Sequence, residues 1–464
     1  MAEPAKAATH SDGMPEGWPR RFAVATITIG LSMSVLANSM TNLALPYIAH
    51  DLQISAESSI WIVNASQIAL MISLLPIAAL ADIVGYRHVY RFGLGLFSLA
   101  SIGCALAPSL NWLILARTFQ GLGGAAIMSV QPALVRAIYP RNMLGRGLGF
   151  NTTVVATSLA AGPSIGAALL TIASWQLLFA VYVPLGIVSF VLSERYLPHT
   201  KHVHRPFDVL SAALSGTTFG LLIFGIDGMA HGHQRPVILS ELVLAAVLGA
   251  LFIWRQRRLK DPMMPIDVFK RPIFTLSITA GSCTFTAQGL AFVSLPFLFH
   301  TVLGRNATDT GILLTAWPLA LAGIAPIAGR LADRHHPGLL GAIGLTSMTT
   351  GLVLVALLPP DPSAPNIMWR LALCGMGFGI FSGPNNRLMM SSVPRERSGS
   401  AGGIIATART LGQTMGAALV ALVFGLFDFS AGASEAAAAA HAAIWMAACF
   451  AGTALVIGSL RIRH

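Results

Sequence analysis

Residues 121–141 read GLGGAAIMSVQPALVRAIYPR, and residues 375–395 read GMGFGIFSGPNNRLMMSSVPR. In both, the proline of the closing pair (Pro140-Arg141, Pro394-Arg395) lies nineteen positions after the first glycine. The correspondence continues downstream. Ala156-Thr157, Gly162 and Gly166-Ala-Ala-Leu169 return as Ala406-Thr407, Gly412 and Gly416-Ala-Ala-Leu419. Upstream, Leu80-Ala-Asp82 returns as Leu331-Ala-Asp333. A unit repeated after about 250 residues in a chain of 464 predicts two similar halves.

Composition says what solvent those halves meet. The chain is 55% hydrophobic and only 10% charged, with a mean hydropathy of +0.70. An ordinary soluble domain carries roughly 25% charged residues, so a soluble enzyme is excluded. Apolar runs fall near 22–42, 59–80, 89–107, 112–133, 150–172, 176–193, 208–227, 238–254, 274–301, 310–331, 338–358, 367–390, 401–427 and 438–460. Each approaches the ~20 residues that cross a bilayer as helix. The short alternating segments of a β-barrel are missing. The expectation is an all-α polytopic membrane protein with fourteen spans. A leader at 1–21 precedes an N-terminal six-helix bundle at 22–193. Two inserted spans and a basic linker occupy 194–272, with Arg255–Arg271 its most basic part. A C-terminal six-helix bundle fills 273–460, and 461–464 form a tail.

An even number of spans puts both termini on one side. Of 29 Lys and Arg, 24 fall on the N-terminal side and three (Arg235, Arg305, Arg370) on the other, with Arg117 and Arg409 inside spans. Positive residues stay cytoplasmic, so both termini are expected inside the cytoplasmic membrane of a bacterial-type cell. The same distribution explains the net charge of +11 without nucleic acid. Residues 1–19 lack the apolar core and cleavage site of a signal peptide. The cysteines 104, 283, 374 and 449 sit in apolar runs without ligand spacing, so neither metal nor cofactor is expected.

Three stretches carry motifs. After span 2 comes Ala78-Ala-Leu80-Ala81-Asp82-Ile-Val-Gly85-Tyr86-Arg87, echoed by Gly329-Arg330-Leu331-Ala332-Asp333-Arg334 before His335-His336-Pro337. A carboxylate at a span end can face a helix N-terminus and nearby arginines in one conformation only, which would latch that state. Span 4 reads Leu113-x3-Arg117-x2-Gln120-Gly121-x-Gly123-Gly124-Ala125-Ala126. An arginine within a span costs about 2.5–3.5 kcal/mol on insertion scales and so faces a cavity or polar partner. The repeat places Leu371 opposite it, so Arg117 belongs to the first half alone. Span 5 carries Ser158-x3-Gly162-Pro163-x2-Gly166-Ala167, small residues for close packing with a proline that permits a kink.

Together these resemble the signatures of the major facilitator superfamily, and most closely its fourteen-span drug:proton antiporters. Asn42-Leu-Ala-Leu-Pro46 resembles the end of their span 1, and Trp175, Phe179 and Pro184-x-Gly186 their span 6 motif, with Gln176, Leu177 and Tyr182 departing from it. The resemblance implies a secondary-active exporter of small amphiphilic drugs or metabolites, working as a monomer by alternating access and coupled to protons. It makes Asp82, Gly85, Arg87, Asp333 and Arg334 a conformational latch, Arg117 and Gln120 coupling residues, and Ser158, Gly162, Pro163 and Gly166 the antiporter helix. A dedicated metabolite exporter or importer is the alternative within transport. Another class, a transporter-like receptor or a membrane-embedded enzyme, meets three objections: no sizeable soluble domain, no convergent catalytic set, and no nucleotide-binding P-loop.

One departure bears on mechanism. Those antiporters carry an aspartate where this chain has Ala37, and none of the 18 acidic residues lies near a span centre. Polar groups expected around a substrate cavity are Asn38, Asn42, Asn64, Gln67, Gln288, Asn385 and Asn386, with Arg409. Phe292 and Trp317 are expected as apolar walls, and His300 as a titrating group. With arginines as the fixed intramembrane charges, neutral or anionic amphiphiles are expected to be preferred over dications. Ala37→Asp is expected to admit lipophilic cations.

Overall fold

The computed structural model describes residues 13–54, 56–199, 206–230, 235–259, 262–264, 266–305, 307–359, 361–394, 397–424, 426–427 and 433–461. The leader before residue 13, the last three residues and parts of the 194–272 linker therefore lie outside the described residues.

Among the described residues fifteen α-helices follow one another. In the first half these are α1 (Trp18–Asp51), α2 (Ala56–Val84), α3 (Tyr86–Ala105), α4 (Leu110–Ile138), α5 (Leu144–Ile172), α6 (Gln176–Ala180) and α7 (Tyr182–Tyr196). An inserted pair, α8 (Val209–Ala230) and α9 (Arg235–Arg258), comes next. The second half has α10 (Pro272–Phe297), α11 (Ala307–Arg334), α12 (Pro337–Ala356), α13 (Ala364–Ser391), α14 (Ser398–Phe424) and α15 (Ala433–Leu460). Prolines in the first turn open α1, α10, α12 and α13, where the missing N–H has no intrahelical acceptor to lose. Ser109 caps α4 by accepting from the Trp112 amide. Nine described helices are long and apolar enough to cross a membrane, or ten if the bent stretches 141–162 and 165–172 form one span. The chain is thus a multi-pass helical membrane protein, and fourteen crossings are not reached by hydropathy alone. The helices that miss this test are α3, α8, α13 and α14. Of these, α13 and α14 bury glycines and polar residues against neighbouring helices, and so have less need of lipid-facing apolar surface.

Packing follows the sequence repeat. In the first half α4 lies against α2 and α3, while α1 lies against α5 and α7. In the second, α13 lies against α11 and α12, while α10 lies against α14 and α15. The repeated glycines make this possible. A side chain at Gly121 would collide with the Ser66 carbonyl of α2, and one at Gly375 with the Trp317 carbonyl of α11. Two residues on, a Cβ at Gly123 would stand 2.7 Å from the Phe97 nitrogen of α3, and one at Gly377 would strike Met348 of α12. Each Gly-x-Gly therefore lets one helix touch two neighbours at backbone distance. Gly121→Val and Gly375→Val are each expected to cost about 1–3 kcal/mol or more from overpacking. Fluorescence-detected size exclusion should show a reduced monodisperse fraction for both, and an unchanged profile would contradict this packing.

The halves meet through two symmetric sets of contacts, α2 and α4 against α14, and α11 and α13 against α5. Through α8 the inserted pair packs on α2 and α14 and so straddles that seam, with α9 lying against α8. Its open ends are clamped: Asp208 caps α8 through the Ser211 amide at 3.1 Å and pairs with Arg255 of α9 at 3.1 Å. Burial alone would push the Asp208 carboxyl up, but the bonds from Ser211 and Arg255 outweigh this and hold it below the usual carboxylate range.

Candidate translocation site

At one end of the seam each half lends a carboxylate to the other. Asp82, in the last turn of α2, is 2% exposed. It accepts from the Gly399 amide at 3.0 Å, the Ser400 amide at 3.1 Å, the Ser400 hydroxyl, and Tyr86 Oη at 2.9 Å. The acceptor therefore caps the first turn of α14, where unsatisfied N–H groups and the helix dipole favour an anion. Asp333, in the last turn of α11, caps α5 in the same way, accepting from Gly145 at 2.8 Å and Arg146 at 2.9 Å, with Arg387 at 3.6 Å. Glycines let both helices approach: a Cβ at Gly145 would stand 2.7 Å from Asp333 Oδ1, and one at Gly399 would strike Asp82 Oδ1.

Two residues of the expected latch behave differently from that expectation. Arg87 turns away from Asp82 and into its own half, donating to the Glu194 carbonyl of α7 and reaching the His199 ring at 2.7 Å. A buried guanidinium at the first turn of α3 finds carbonyls at the end of α7 nearer than the seam. Arg334 is exposed beside Asp333. Gly85 has φ of 99° and turns the chain from α2 into α3. The cross-half arginine that sequence reading missed is Arg136, in the last turn of α4. It donates to Ser398 Oγ and to the Val393 carbonyl, both at 2.9 Å.

Nearer the opposite end lies a polar cluster around Arg117, which is 1% exposed. Its Nε donates to the Ile62 carbonyl at 3.0 Å, Nη1 to Gln120 Oε1, and Nη2 to Ser66 Oγ at 2.7 Å and Asn38 Oδ1 at 3.3 Å. Gln120 in turn donates to Ser101 at 2.8 Å, and Asn38 reaches Gln67 at 3.4 Å. The Phe179 ring lies 5.8 Å from the guanidinium, and Trp175 holds Phe179 edge-on while donating to Asp51 at 2.8 Å. Arg117 thus joins α1, α2 and α4 rather than reaching an interface with lipid headgroups. Every acceptor is neutral, and among the described residues it has no ion pair. Of the sequence candidates, Asn38, Gln67, Arg117 and Gln120 come together here, while Ser66 and Ser101 gave no advance signal as common helix residues.

In the second half Gln288 of α10 accepts from Gln413 of α14 at 3.0 Å, and Gln413 is exposed. Arg409, one turn before Gln413 on α14, is half-buried. Asn42 is exposed, and Asn64 and Asn386 are half-buried. Ser158, Gly162 and Gly166 are buried along α5, with Gly162 closed against Ser39 of α1. The side chains of Pro163 and His300 lie outside what the structure describes.

Three residues sit deeper in the protein than the sequence reading placed them. Asn385 is 2% exposed and turned into its own bundle, where it donates to the Ser277 carbonyl and accepts from Arg461. Trp317 is 1% exposed and packs edge-on to Phe292 at 5.2 Å in the apolar core, since the backbone contact at Gly375 presses α13 against it. Arg461 is no tail residue: it is buried over Phe381 and bonded to Ser277 at 3.2 Å.

The sequence profile described as Major Facilitator Superfamily matches residues 27–417. The chain is 51% identical over 455 residues to the uncharacterized transporter YebQ of Escherichia coli, covering 97% of each. It is 29% identical to the riboflavin transporter RibZ of Clostridioides difficile, covering 94% of this chain and 96% of that one. To the multidrug resistance protein Stp of Mycobacterium tuberculosis it is 31% identical, covering 85% and 74%.

Proposed function

Because this chain belongs to the Major Facilitator Superfamily, we propose that it is a secondary-active exporter of small amphiphilic molecules, driven by protons through alternating access. The family and the transporter names of its relatives make it a membrane transporter and not an enzyme. The observation that carries the mechanism is the reciprocal pair of caps, Asp82 on α14 and Asp333 on α5. Each bond joins the two halves at one end of the seam, so both must break before that end opens. The arginine count supports that end as the cytoplasmic one, with both termini inside and fourteen crossings. In this reading the described state is closed to the cytoplasm. Gln67 lies roughly 22 Å along α2 from Asp82, and Gln413 about 20 Å along α14 from Ser400. Both are exposed, which supports them as contacts for a molecule entering between the halves.

Export over import rests on the span 5 motif, and the relative named a multidrug resistance protein, Stp, favours drugs among the cargoes. The relative RibZ favours keeping a flavin-like metabolite among the cargoes tested. Purified protein in liposomes with an imposed pH gradient, screened against dyes, drugs and riboflavin, tests the reading. Gradient-dependent accumulation of at least one amphiphile is expected, and its absence across the panel would refute proton-driven export. Topology is tested separately: reporters fused at Gly232 and Ser363 are expected to report the outside, and those at Lys201 and Arg257 the cytoplasm. An inside signal at Gly232 would remove the inserted pair from the fourteen crossings.

A further inference from the structure

Where the inserted pair meets the two bundles lies a cavity of about 450 Å³. Its walls include Leu75 of α2, Ser215 of α8, Phe252 of α9, Ile278 of α10 and Thr407 of α14, so both halves and the inserted pair contribute. Two hydroxyls on these walls stand out. Ser215 is 1% exposed and Thr407 7% exposed, and among the described residues neither hydroxyl has a hydrogen-bond partner. Thr218 and Thr279, which line the same space, each donate to a carbonyl of their own helix, at 2.7 and 2.9 Å. A buried hydroxyl left unpaired is costly, and native structures keep few of them. Phe252 and Ile278 fall within stretches long and apolar enough to cross a membrane. Thr407 lies seven residues along α14 from Ser400, roughly 10 Å from the latch. At the rim Ile253 of α9 and Thr279 of α10 are exposed, so the way in runs sideways between these helices.

We propose that this cavity binds an uncharged amphiphile that reaches it from the bilayer, with its apolar body against Phe252 and Ile278 and its polar part on Ser215 and Thr407. The volume lies within the ~300–1,000 Å³ range of small-molecule sites, which are mostly apolar with a few polar groups that fix orientation. A phospholipid tail would fill the space and leave both hydroxyls unpaired. A ketone, amide or ether oxygen on an apolar frame answers them. The inserted pair thereby takes part in recognition, since α8 supplies one of the two hydroxyls and α9 the Phe252 wall.

The test uses full-length protein in phosphatidylcholine nanodiscs, irradiated with increasing amounts of benzophenone, an uncharged aryl ketone that labels neighbouring C–H bonds. Labelled peptides are mapped by mass spectrometry. Saturable labelling is expected on peptides carrying Phe252, Ile278 or Thr407, above the linear labelling of other lipid-facing helices. Ser215→Ala/Thr407→Val is expected to raise the half-saturating concentration about tenfold. The same variant is expected to melt no lower than the unmodified protein, because the hydroxyls it removes bond to nothing in the fold. Ala408→Phe, which fills the cavity from α14, should abolish the saturable part. Should that variant fail to purify, the hydroxyl variant carries the test alone. Linear labelling only, or unchanged saturation in the hydroxyl variant, would mean that lipid tails occupy the space, and would overturn the proposal. A lower melting temperature of the hydroxyl variant would overturn it as well, by showing that the fold itself uses these groups. Binding is read without a gradient or transport, so this result and the exporter reading can fail independently.

Discussion

Replacing Asp82 by Asn is expected to lower transport at least tenfold while leaving membrane abundance near that of the unmodified protein. The carboxylate accepts at least four hydrogen bonds in a site that is 2% exposed, three of them from the first turn of α14 in the opposite half. Bonds to a charged acceptor contribute about 1.5–3 kcal/mol each. The amide keeps one acceptor and loses the charge that answers the α14 dipole. A loss of about 3 kcal/mol shifts a two-state equilibrium by more than a hundredfold, enough to depopulate the closed form. Neither half loses a core residue, so each bundle still folds. Asp333→Asn is expected to be milder, because it is more exposed and accepts from two amides rather than three donors across the seam. Transport of a dye by proteoliposomes, read beside abundance on a blot, checks both. Wild-type transport by the Asp82 variant would remove the latch.

Arg117 gives the second large effect. Arg117→Ala is expected to reduce transport by about a hundredfold or more and to lower abundance as well. It leaves the Ile62 carbonyl, Ser66, Gln120 and Asn38 without their shared donor in a buried site, and an orphaned buried polar group costs about 1–3 kcal/mol. Arg117→Lys should rescue folding better than function, since one ammonium cannot span four acceptors. The structure also redirects the test of substrate charge. Ala37 is 3% exposed in the core of the first half, so Ala37→Asp would bury a carboxylate among apolar neighbours, and its expected result is low abundance rather than a new specificity. Asn38 is the position that faces Arg117, at 3.3 Å. Asn38→Asp would pair with the guanidinium, cancel the local positive charge, and is expected to admit monovalent lipophilic cations over neutral dyes. Parallel uptake assays of one cation and one neutral dye decide it. Robust cation uptake by a well-expressed Ala37→Asp variant would overturn this account.

How far the sequence reaches is clear residue by residue. The helical runs were legible because a bilayer demands ~20 apolar residues at each crossing, whatever surrounds them. The internal repeat was legible because backbone contact admits only glycine, so Gly121 and Gly123 had to return as Gly375 and Gly377. Asp82, Asp333 and Arg117 stood out because a charge in or beside apolar helix is costly without a partner. Which partner each one takes was decided by the fold alone. The donors to Asp82 are backbone amides of residues 399 and 400, more than 300 positions away, and an amide leaves no mark in a sequence. Adjacent residues on a helix point about 100° apart, and the packing of neighbours determines which of them meets the core. That is why Ala37 is buried while Asn38 reaches Arg117, and why Asn385 turns into its bundle toward Arg461 instead of facing the seam.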